Sequence, residues 1–299
     1  MATKAQDVMD KVAAAIIESI EKGLVDGAWT KPWTASGSGL LPTNASTGKP
    51  YSGGNVFVLW MSQMESNYLT NTWATYKQWE ALGAQVRRGE KGTFCVKYTP
   101  IECRDHGKDQ ACEKCGRVAV NTFALFNADQ VEGWEAPTVE PINEEARREA
   151  IDAYISAVGA TIRFGGDSAH YMPVRDEIAI PLFESFRDAD SYYATVAHEL
   201  VHWTGHESRL ARNLSGRFGD NSYAMEELVA ELGAAMLCGM LGITDTPRPD
   251  HARYLKHWLE VLKEDSKALW AAASLSSKAV AFIQSKQPEA APAPEVVPA

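Results

Sequence analysis

The sequence predicts an α+β protein of two domains. With 299 residues, 45% of them hydrophobic, the chain is long enough for two ordinary domains that each bury a core. Segments with helical periodicity and segments with the alternation typical of strands occur in both halves. Residues 131–145 are acidic and contain two prolines, which predicts a linker between a domain at 1–130 and a domain at 146–285.

Helices and a pair of strands are predicted for the first domain. Val8, Val12 and Ile16 recur at spacings of four, which indicates an amphipathic helix over 4–24. Beyond a long Gly- and Pro-rich loop, the pattern favours helices over 55–66 and 73–82 and paired strands over 85–102 and 117–127.

The second domain is predicted to be mainly helical with a small sheet. Its expected elements are a helix over 144–160, short strands over 161–166, 170–175 and 177–181, and helices over 191–204, 223–241 and 250–284, the last as one helix or broken in two. The tail 286–299 is rich in Pro, Ala and Glu, a composition that predicts disorder.

Charge is distributed unequally along the chain. The formal net charge is −10, yet residues 1–128 carry 14 Lys and Arg against 12 Asp and Glu, whereas residues 129–299 carry 15 against 27. The overall acidity therefore does not exclude nucleic acid as a partner of the first half. Five cysteines, an odd number, and an N-terminus without signal-peptide layout predict a cytoplasmic, reducing location, and no apolar run is long enough to span a membrane.

An H-E-x-x-H pattern occurs within residues 193–210, which read YATVAHELVHWTGHESRL. On a helix, His198 and His202 lie one turn apart on the same face, so both rings can reach one metal ion. Glu199 lies beside them, where a carboxylate can act on water as a general base. The pattern predicts a Zn²⁺ site; the alternative is a surface helix that matches five residues by chance.

A catalytic zinc ion usually takes three protein ligands and one water molecule. His206 is the nearest further histidine, but it would lie about 6 Å along a continued helix from the preceding one. Ser208 stands where the metzincin pattern requires a histidine. Neither position therefore favours a third ligand in this segment.

A second acidic helix downstream supplies better candidates. Glu227 and Glu231 are four residues apart on a segment rich in Ala, Leu and Val, where a buried carboxylate needs a partner, whereas Glu226 points about 100° away. H-E-x-x-H followed by E-x-x-x-E resembles the gluzincins. That resemblance implies Glu227 as the third ligand and Glu231 as the partner of a ligand histidine, although the two roles could be exchanged.

The matching reaction for such a site is peptide hydrolysis. Glu199 would take a proton from water, and the resulting nucleophile would attack a carbonyl group. Tyr192, Tyr223 and His206 are candidates to stabilise the oxyanion, with packing as the alternative role of each. The strands within 170–181 offer an edge to an extended peptide. The same ligands could instead hold a structural ion.

The first domain combines cations with aromatic rings. Residues 28–100 contain seven Lys and Arg against three Glu, together with eleven aromatic residues. Single-stranded nucleic acid suits such a surface, because bases stack on rings and phosphates meet positive charge. Trp60, Trp73 and Trp79 more simply fill the core. The candidate contact residues are Trp29, Lys31, Trp33, Lys49, Tyr51, Lys77, Arg87, Arg88 and Lys91.

A cysteine-rich insert separates the two predicted strands of the first domain. Cys103, His106, Cys112 and Cys115 form a C-x2-H-x5-C-x2-C pattern. In a reducing compartment such a group favours a second, structural zinc ion over disulfides, although His106 could instead face solvent. The two cysteines outside the insert are expected to be buried thiols.

Several motifs together resemble one protein family. WTKPW, LPTNASTGKPYSGGNVFVLW, TWATYKQWEALGAQVRRGEKGT, FNADQVEGW, HELVHWTGHESRL and YAMEELVAELGAAML are similar to the ArdC-type antirestriction proteins of conjugative plasmids, over residues 5 to about 285. The resemblance implies an N-terminal domain that binds single-stranded DNA and a zincin-like metallopeptidase domain, with His198, Glu199, His202 and Glu227 at the site. The cysteine-rich insert departs from the family pattern.

The implied role is protection of incoming plasmid DNA from host restriction, with an unknown protein substrate that could belong to the restriction system. Two alternatives remain. The chain could be a DNA-binding shield whose metal ion only stabilises the fold, or a DNA-dependent protease that acts on DNA-bound proteins.

Overall fold

The computed structural model describes residues 4–26, 41–101, 118–135, 143–214, 220–243, 259–265 and 267–288. Its architecture is α+β with two domains, which confirms the predicted fold class. The cysteine-rich insert and most of the C-terminal tail lie outside the described residues, as do Trp29, Lys31 and Trp33.

The N-terminal domain contains three helices and six strands among its described residues. They are α1 (Lys4–Asp26), β1 (Thr43–Asn44), α2 (Asn55–Ser66), β2 (Thr72–Ala74), α3 (Tyr76–Ala81), β3 (Gln85–Val86), β4 (Thr93–Pro100), β5 (Val118–Asn127) and β6 (Val131–Glu132). The main sheet has the order β1-β2-β5-β4, with β1 parallel to β2 and the other neighbours antiparallel. β4 is therefore an edge strand.

Two sequence predictions in this domain need correction. The helix predicted over 73–82 is shorter, because Trp73 and Ala74 belong to β2 and Thr75 caps α3: its hydroxyl accepts from the backbone N–H of Gln78. The strand predicted over 85–102 is divided, since β3 pairs with β6 and only β4 pairs with β5.

The C-terminal domain surrounds a small sheet with helices. Its described elements are α4 (Glu144–Val158), β7 (Thr161–Phe164), β8 (His170–Met172), β9 (Glu177–Ile180), α5 (Ala189–Thr204), α6 (Asn221–Leu241) and α7 (Lys267–Gln284), with a further helical segment at 259–264. In the sheet order β7-β9-β8, β7 is parallel and β8 antiparallel to β9. β8 is thus an exposed edge next to α5.

One continuous apolar core joins the two domains. It includes Ile16 of α1, Leu59 of α2, Leu200 of α5, Leu232 of α6 and Leu269 of α7, each at most 2% exposed. Burying these side chains removes apolar surface from water and stabilises the contact between domains. The boundaries predicted at 131–145 stay a prediction, although β6 pairs with β3 of the first domain.

Tryptophans of the first domain lie mostly inside this core or a smaller one. Trp60, Trp73 and Trp79 are at most 3% exposed, as the sequence indicated. Trp79 donates its indole N–H to the carbonyl of Phe126 at 3.0 Å. These rings are unavailable for stacking on nucleic acid. Among the described helices, none is long and apolar enough to cross a membrane.

Helices α5 and α6 approach closely at a glycine. A Cβ atom added to Gly233 would lie 2.8 and 2.9 Å from the two methyl carbons of Val201, which is fully buried. Glycine inside a helix costs about 1 kcal/mol relative to alanine. The close packing of α5 on α6 explains its presence here.

We expect Gly233→Ala to lower the free energy of unfolding by up to about 2 kcal/mol, because overpacking outweighs the gain in helix propensity. In a Val201→Ala background the colliding methyl groups are absent, so the same substitution should be neutral or stabilising. Chemical denaturation of the four proteins in this double-mutant cycle measures the coupling. Equal costs in both backgrounds would contradict the packing argument.

Candidate metal centre

Helix α5 carries the H-E-x-x-H motif and is fixed at both ends. Asp188 caps its start by accepting from the backbone N–H of Ser191 at 2.7 Å. Gly205 occupies the C-cap position. Twelve of its sixteen residues are buried, so the motif lies inside the domain and not on a surface helix.

The two histidines of the motif face each other. The Nε2 atoms of His198 and His202 are 3.1 Å apart, and His198 is only 3% exposed. Glu227 of α6 lies opposite, with carboxylate oxygens 3.6 Å from Nε2 of His198 and 3.5 Å from Nε2 of His202. Within the described residues, these three form the group whose donor atoms lie close enough to hold one ion.

The distances between these donor atoms fit a small divalent ion. In a tetrahedral site with metal–ligand bonds of about 2.0–2.1 Å, neighbouring donor atoms are roughly 3.3 Å apart. The two Nε2 atoms are 3.1 Å apart, and each lies 3.5 or 3.6 Å from its own oxygen of the Glu227 carboxylate, distances close to that value. Two imidazole nitrogens and one carboxylate oxygen are also the donor set of catalytic zinc sites.

Each imidazole also has a carboxylate behind it. Nδ1 of His198 lies 3.3 Å from Oε1 of Glu231, and Nδ1 of His202 lies 3.1 Å from Oε1 of Glu226. A carboxylate at Nδ1 favours the tautomer with its proton on that nitrogen, which leaves the Nε2 lone pair free for a metal ion. A hydrogen bond from behind thus sets the orientation of the His202 ring, and Glu231 places a carboxylate behind the ring of His198.

The electrostatics of the centre favour a bound cation. Burial disfavours the protonated ring of His202, but hydrogen bonds to Glu226 and Glu227 outweigh this effect and raise its pKa to about 10. Burial also disfavours the ionised form of Glu227, yet contacts with His198 and His202 hold its pKa well below the usual range. The neighbouring carboxylates thus favour a positive charge at His202, and the two imidazoles favour the ionised form of Glu227.

Glu226 is a site residue that the sequence interpretation missed. Its carboxylate accepts two hydrogen bonds from the guanidinium of Arg212, at 2.9 and 2.8 Å, besides facing His202. Burial raises the pKa of Glu226, but Arg212 and His202 more than compensate and lower it. The adjacent acids at 226 and 227 indicate in the sequence that one helix can place a carboxylate at each nitrogen of a histidine ring.

Arg212 reaches this position because the chain turns sharply after α5. Its guanidinium also donates to Thr204 Oγ1 at 2.8 Å and to the carbonyl of Val201 at 2.7 Å. A Cβ atom at Gly205 would lie 2.9 Å from Arg212 Nη2, so only glycine leaves room for this side chain. The turn therefore ties the end of α5 to Glu226.

The remaining predicted residues of the site have different surroundings. Glu199 is 3% exposed and close enough for its charge to act on His202. Tyr192 packs edge-on against three aromatic rings. Nδ1 of His206 lies 2.8 Å from Ser208 Oγ in the turn, and half-buried Tyr223 lies in the first turn of α6. Their proposed roles toward an oxyanion stay predictions.

The predicted DNA-contact residues that the structure describes fall into two groups. Lys49, Lys77, Arg88 and Lys91 are exposed. Tyr51 donates its hydroxyl to the carbonyl of Trp73 at 3.3 Å, and Arg87 pairs with Glu90 at 2.9 Å and donates to the backbone of β6. Contacts within the fold therefore occupy Tyr51 and Arg87.

The edge strand β8 is anchored to the end of α5. Arg209 lies over the ring of Trp203, 3.9 Å from its centroid, and donates to Asp176 in the turn between β8 and β9. Asp176 also accepts from the hydroxyl of Tyr171 at 2.8 Å. These contacts fix the edge of the sheet relative to the metal-binding helix.

Comparisons with known proteins support a chain of two domains. A family described as the N-terminal domain of anti-restriction factor ArdC matches residues 6–137, and a zincin-like metallopeptidase family matches residues 149–275. Crystal structures of the antirestriction ArdC protein from plasmid R388 are 36% identical, with a TM-score of 0.73 and coverage of 95% of this chain and 98% of theirs. The chain belongs to the ArdC antirestriction family. This confirms the predicted family.

One further relative of this ArdC-family protein is similar in length, and two others are much longer. An uncharacterized protein of Sinorhizobium fredii, y4eC, is 39% identical over 95% of this chain and 94% of its own length. Two DNA primases named TraC from Escherichia coli are 38% and 37% identical, but the chain spans only 27% and 19% of their lengths.

One of the two R388 ArdC structures contains Mn(II) and the other is metal-free. Together with the zincin-like domain, the Mn(II)-bound relative supports a divalent-metal site in the ArdC-family protein described here.

We expect Glu226→Gln to weaken binding of Zn²⁺ or Mn²⁺ about 10- to 100-fold, the usual effect of losing the carboxylate behind a ligand histidine. Competition against a chromophoric chelator measures this affinity. Glu264→Gln, an exposed acid on the helical segment 259–264, is the control and should leave the affinity unchanged. Unchanged affinity in Glu226→Gln would show that Glu226 does not support His202.

A pH dependence follows from Asp176. Its hydrogen bonds from Arg209 lower its pKa to about 2, below the value of about 3.9 in unfolded chains. The stabilisation is therefore present above pH ~4 and lost as pH falls toward 2. Asp176 has φ 52°, which Asn also tolerates.

We accordingly expect Asp176→Asn to be less stable than the parent protein at pH 7, with a difference that shrinks as pH falls below about 4. Urea unfolding at a series of pH values measures it, with the exposed Asp167→Asn as control. A difference that stays constant from pH 7 to pH 3 would exclude the ion pair as its source.

Proposed function

We propose that this chain protects incoming plasmid DNA from restriction by binding single-stranded DNA and by hydrolysing peptide bonds at a zinc centre. The observation that carries the catalytic part is the buried convergence of His198, His202 and Glu227, with Glu199 beside them. Membership of the ArdC family supports the antirestriction role, and the family match over residues 6–137 supports the DNA-binding part.

In this proposal His198, His202 and Glu227 hold the ion, while Glu231 and Glu226 orient the two imidazoles. A zinc ion supplies Lewis acidity, which makes water more acidic and a carbonyl group more electrophilic. Glu199 accepts the proton from the attacking water and passes it to the departing amine. Because Glu199 follows His198 directly on a buried helix, its position relative to the site is fixed.

Edge strand β8 positions the substrate. A peptide in extended conformation adds to the open edge of the sheet through main-chain hydrogen bonds, which orient it without demanding a particular sequence. The contacts of Arg209 with Asp176 and Trp203 hold this edge next to α5. Because this edge does not select a sequence, the substrate is whichever protein is brought close to the chain. We propose a component of a restriction system as that protein.

The DNA-binding part assigns contact to the exposed cations Lys49, Lys77, Arg88 and Lys91. They lie in a half of the chain without the acidic excess of the other half. Phosphate contacts by lysine and arginine release counterions and make binding dependent on salt.

Cys95 and Cys238 are buried thiols, which accords with the cytoplasm as the proposed location.

Glu199→Gln separates a protease from a shield. We expect this variant to keep metal and DNA binding but to lose peptidase activity by about 10²- to 10⁴-fold, the contribution of a general base. Protection should fall with it, measured as the efficiency with which unmodified plasmid DNA enters restricting and non-restricting hosts.

Glu207→Gln, an exposed acid just after α5, is the matched control and should behave as the parent protein. If Glu199→Gln binds its metal ion and still protects DNA fully, proteolysis is not required. The chain would then act as a DNA-binding shield with a structural ion.

A further inference from the structure

A cleft of about 620 Å³ lies between the edge strand β4, the start of α2 and helix α7. Its lining residues are distant in sequence from the metal ligands and come from both domains. Its described lining includes Gly54 and Asn55 at the start of α2, Lys97 and Tyr98 of β4, Phe123 of β5 and Trp270 of α7. A cleft of this volume accommodates a ligand the size of one or two nucleotides.

Aromatic rings and one cation dominate the mouth of the cleft. Tyr98 is 51% exposed, Phe123 is half-buried, and Lys97 is exposed. Successive side chains of a strand point to opposite faces, so a cleft that meets both Lys97 and Tyr98 must open around the edge of β4. The described lining contains no carboxylate, although the whole chain carries a formal charge of −10.

Beside the cleft, the edge of β4 cannot pair with a further peptide strand. Asn55 donates its side-chain N–H to the carbonyl of Val96 and accepts from the N–H of the same residue, both at 2.8 Å. An added β-strand would need those two backbone groups. The cleft therefore favours a ligand that stacks on rings and meets a cation over one that extends the sheet.

The start of α2 makes the cleft locally favourable to an anion. Trp270 packs against Gly54 and donates its indole N–H to the carbonyl of Met9 at 3.4 Å. Gly54 occupies the N-cap of α2 and brings no side-chain oxygen to the first N–H groups of the helix. The positive end of the helix dipole adds to the charge of Lys97.

We propose that this cleft binds an unpaired nucleotide of single-stranded DNA, with its base stacked on Tyr98 and its phosphate at Lys97. The inference rests on the proposed DNA binding and places one nucleotide of the strand at the junction of the two domains. Bases stack on aromatic rings whatever their identity, so the cleft has no requirement for a particular sequence. Paired DNA does not offer its base faces and is excluded.

Binding of a labelled dT20 oligonucleotide to the full chain, followed by fluorescence anisotropy at several salt concentrations, tests the assignment. We expect Tyr98→Ala to weaken binding about 5- to 150-fold, the range for one base stacked on a ring. Tyr98→Phe, which keeps the ring, should stay within about twofold of the parent protein. Lys97→Ala should reduce the slope of log affinity against log salt by about 0.7.

Matched controls lie outside the cleft. Tyr76→Ala removes another exposed ring and Lys278→Ala another exposed lysine, on the outer side of α7, and both should bind as the parent protein does. In an oligonucleotide carrying 4-thiothymidine, irradiation should form crosslinks that map by mass spectrometry to Tyr98, Phe123 or Trp270. This readout does not depend on the folding of a variant.

The outcomes separate the cleft from the wider proposal. If the parent protein binds dT20 but the Tyr98→Ala and Lys97→Ala variants bind equally well and crosslinks fall elsewhere, the cleft assignment is overturned while DNA binding stands. If the parent protein does not bind dT20, the DNA-binding function fails and the cleft assignment fails with it. If dTMP binds as tightly as dT20, the cleft is a mononucleotide site and the strand assignment is wrong.

Discussion

Two imidazoles and a carboxylate share a buried space in which their charges require a cation. The Nε2 atoms of His198 and His202 lie 3.1 Å apart, and carboxylates face the opposite nitrogen of each ring. Lone pairs directed at each other repel, and a buried carboxylate without a partner is costly, so a proton or a metal ion must occupy the centre. The rest of the domain maintains this convergence: Gly233 lets α5 approach α6, and the turn at Gly205 brings an arginine behind the site.

Much of this centre could be predicted from the sequence because the relevant contacts are local. His198 and His202 share a helix face by spacing alone, and the spacing of Glu227 and Glu231 places both acids on the matching face of the next helix. Glu226 could not be assigned in the same way, because its partner Arg212 arrives through a turn whose path depends on packing around Gly205.

Long-range packing also explains what sequence patterns missed in the first domain. The short strands β2, β3 and β6 each contain two or three residues, too few for a period, and their pairing depends on segments up to 54 residues away, as between Trp73 and Asn127. The cleft has the same origin. Val96 and Trp270 are distant in the chain, and only the packing of α7 across both domains brings them to one cavity.

Helix α7 connects the two halves of the molecule physically. Ser277 accepts a hydrogen bond from the N–H of Gly53 at 2.7 Å, and Ser276 donates to the carbonyl of Val229 on α6 at 2.8 Å. The helix that closes the cleft therefore also packs on the helix that carries Glu227.

The most direct test of the central claim is anomalous diffraction at the zinc edge from crystals of the zinc-loaded protein. The account predicts a peak enclosed by His198, His202 and Glu227, and a centre between these residues that stays empty under zinc loading would contradict it.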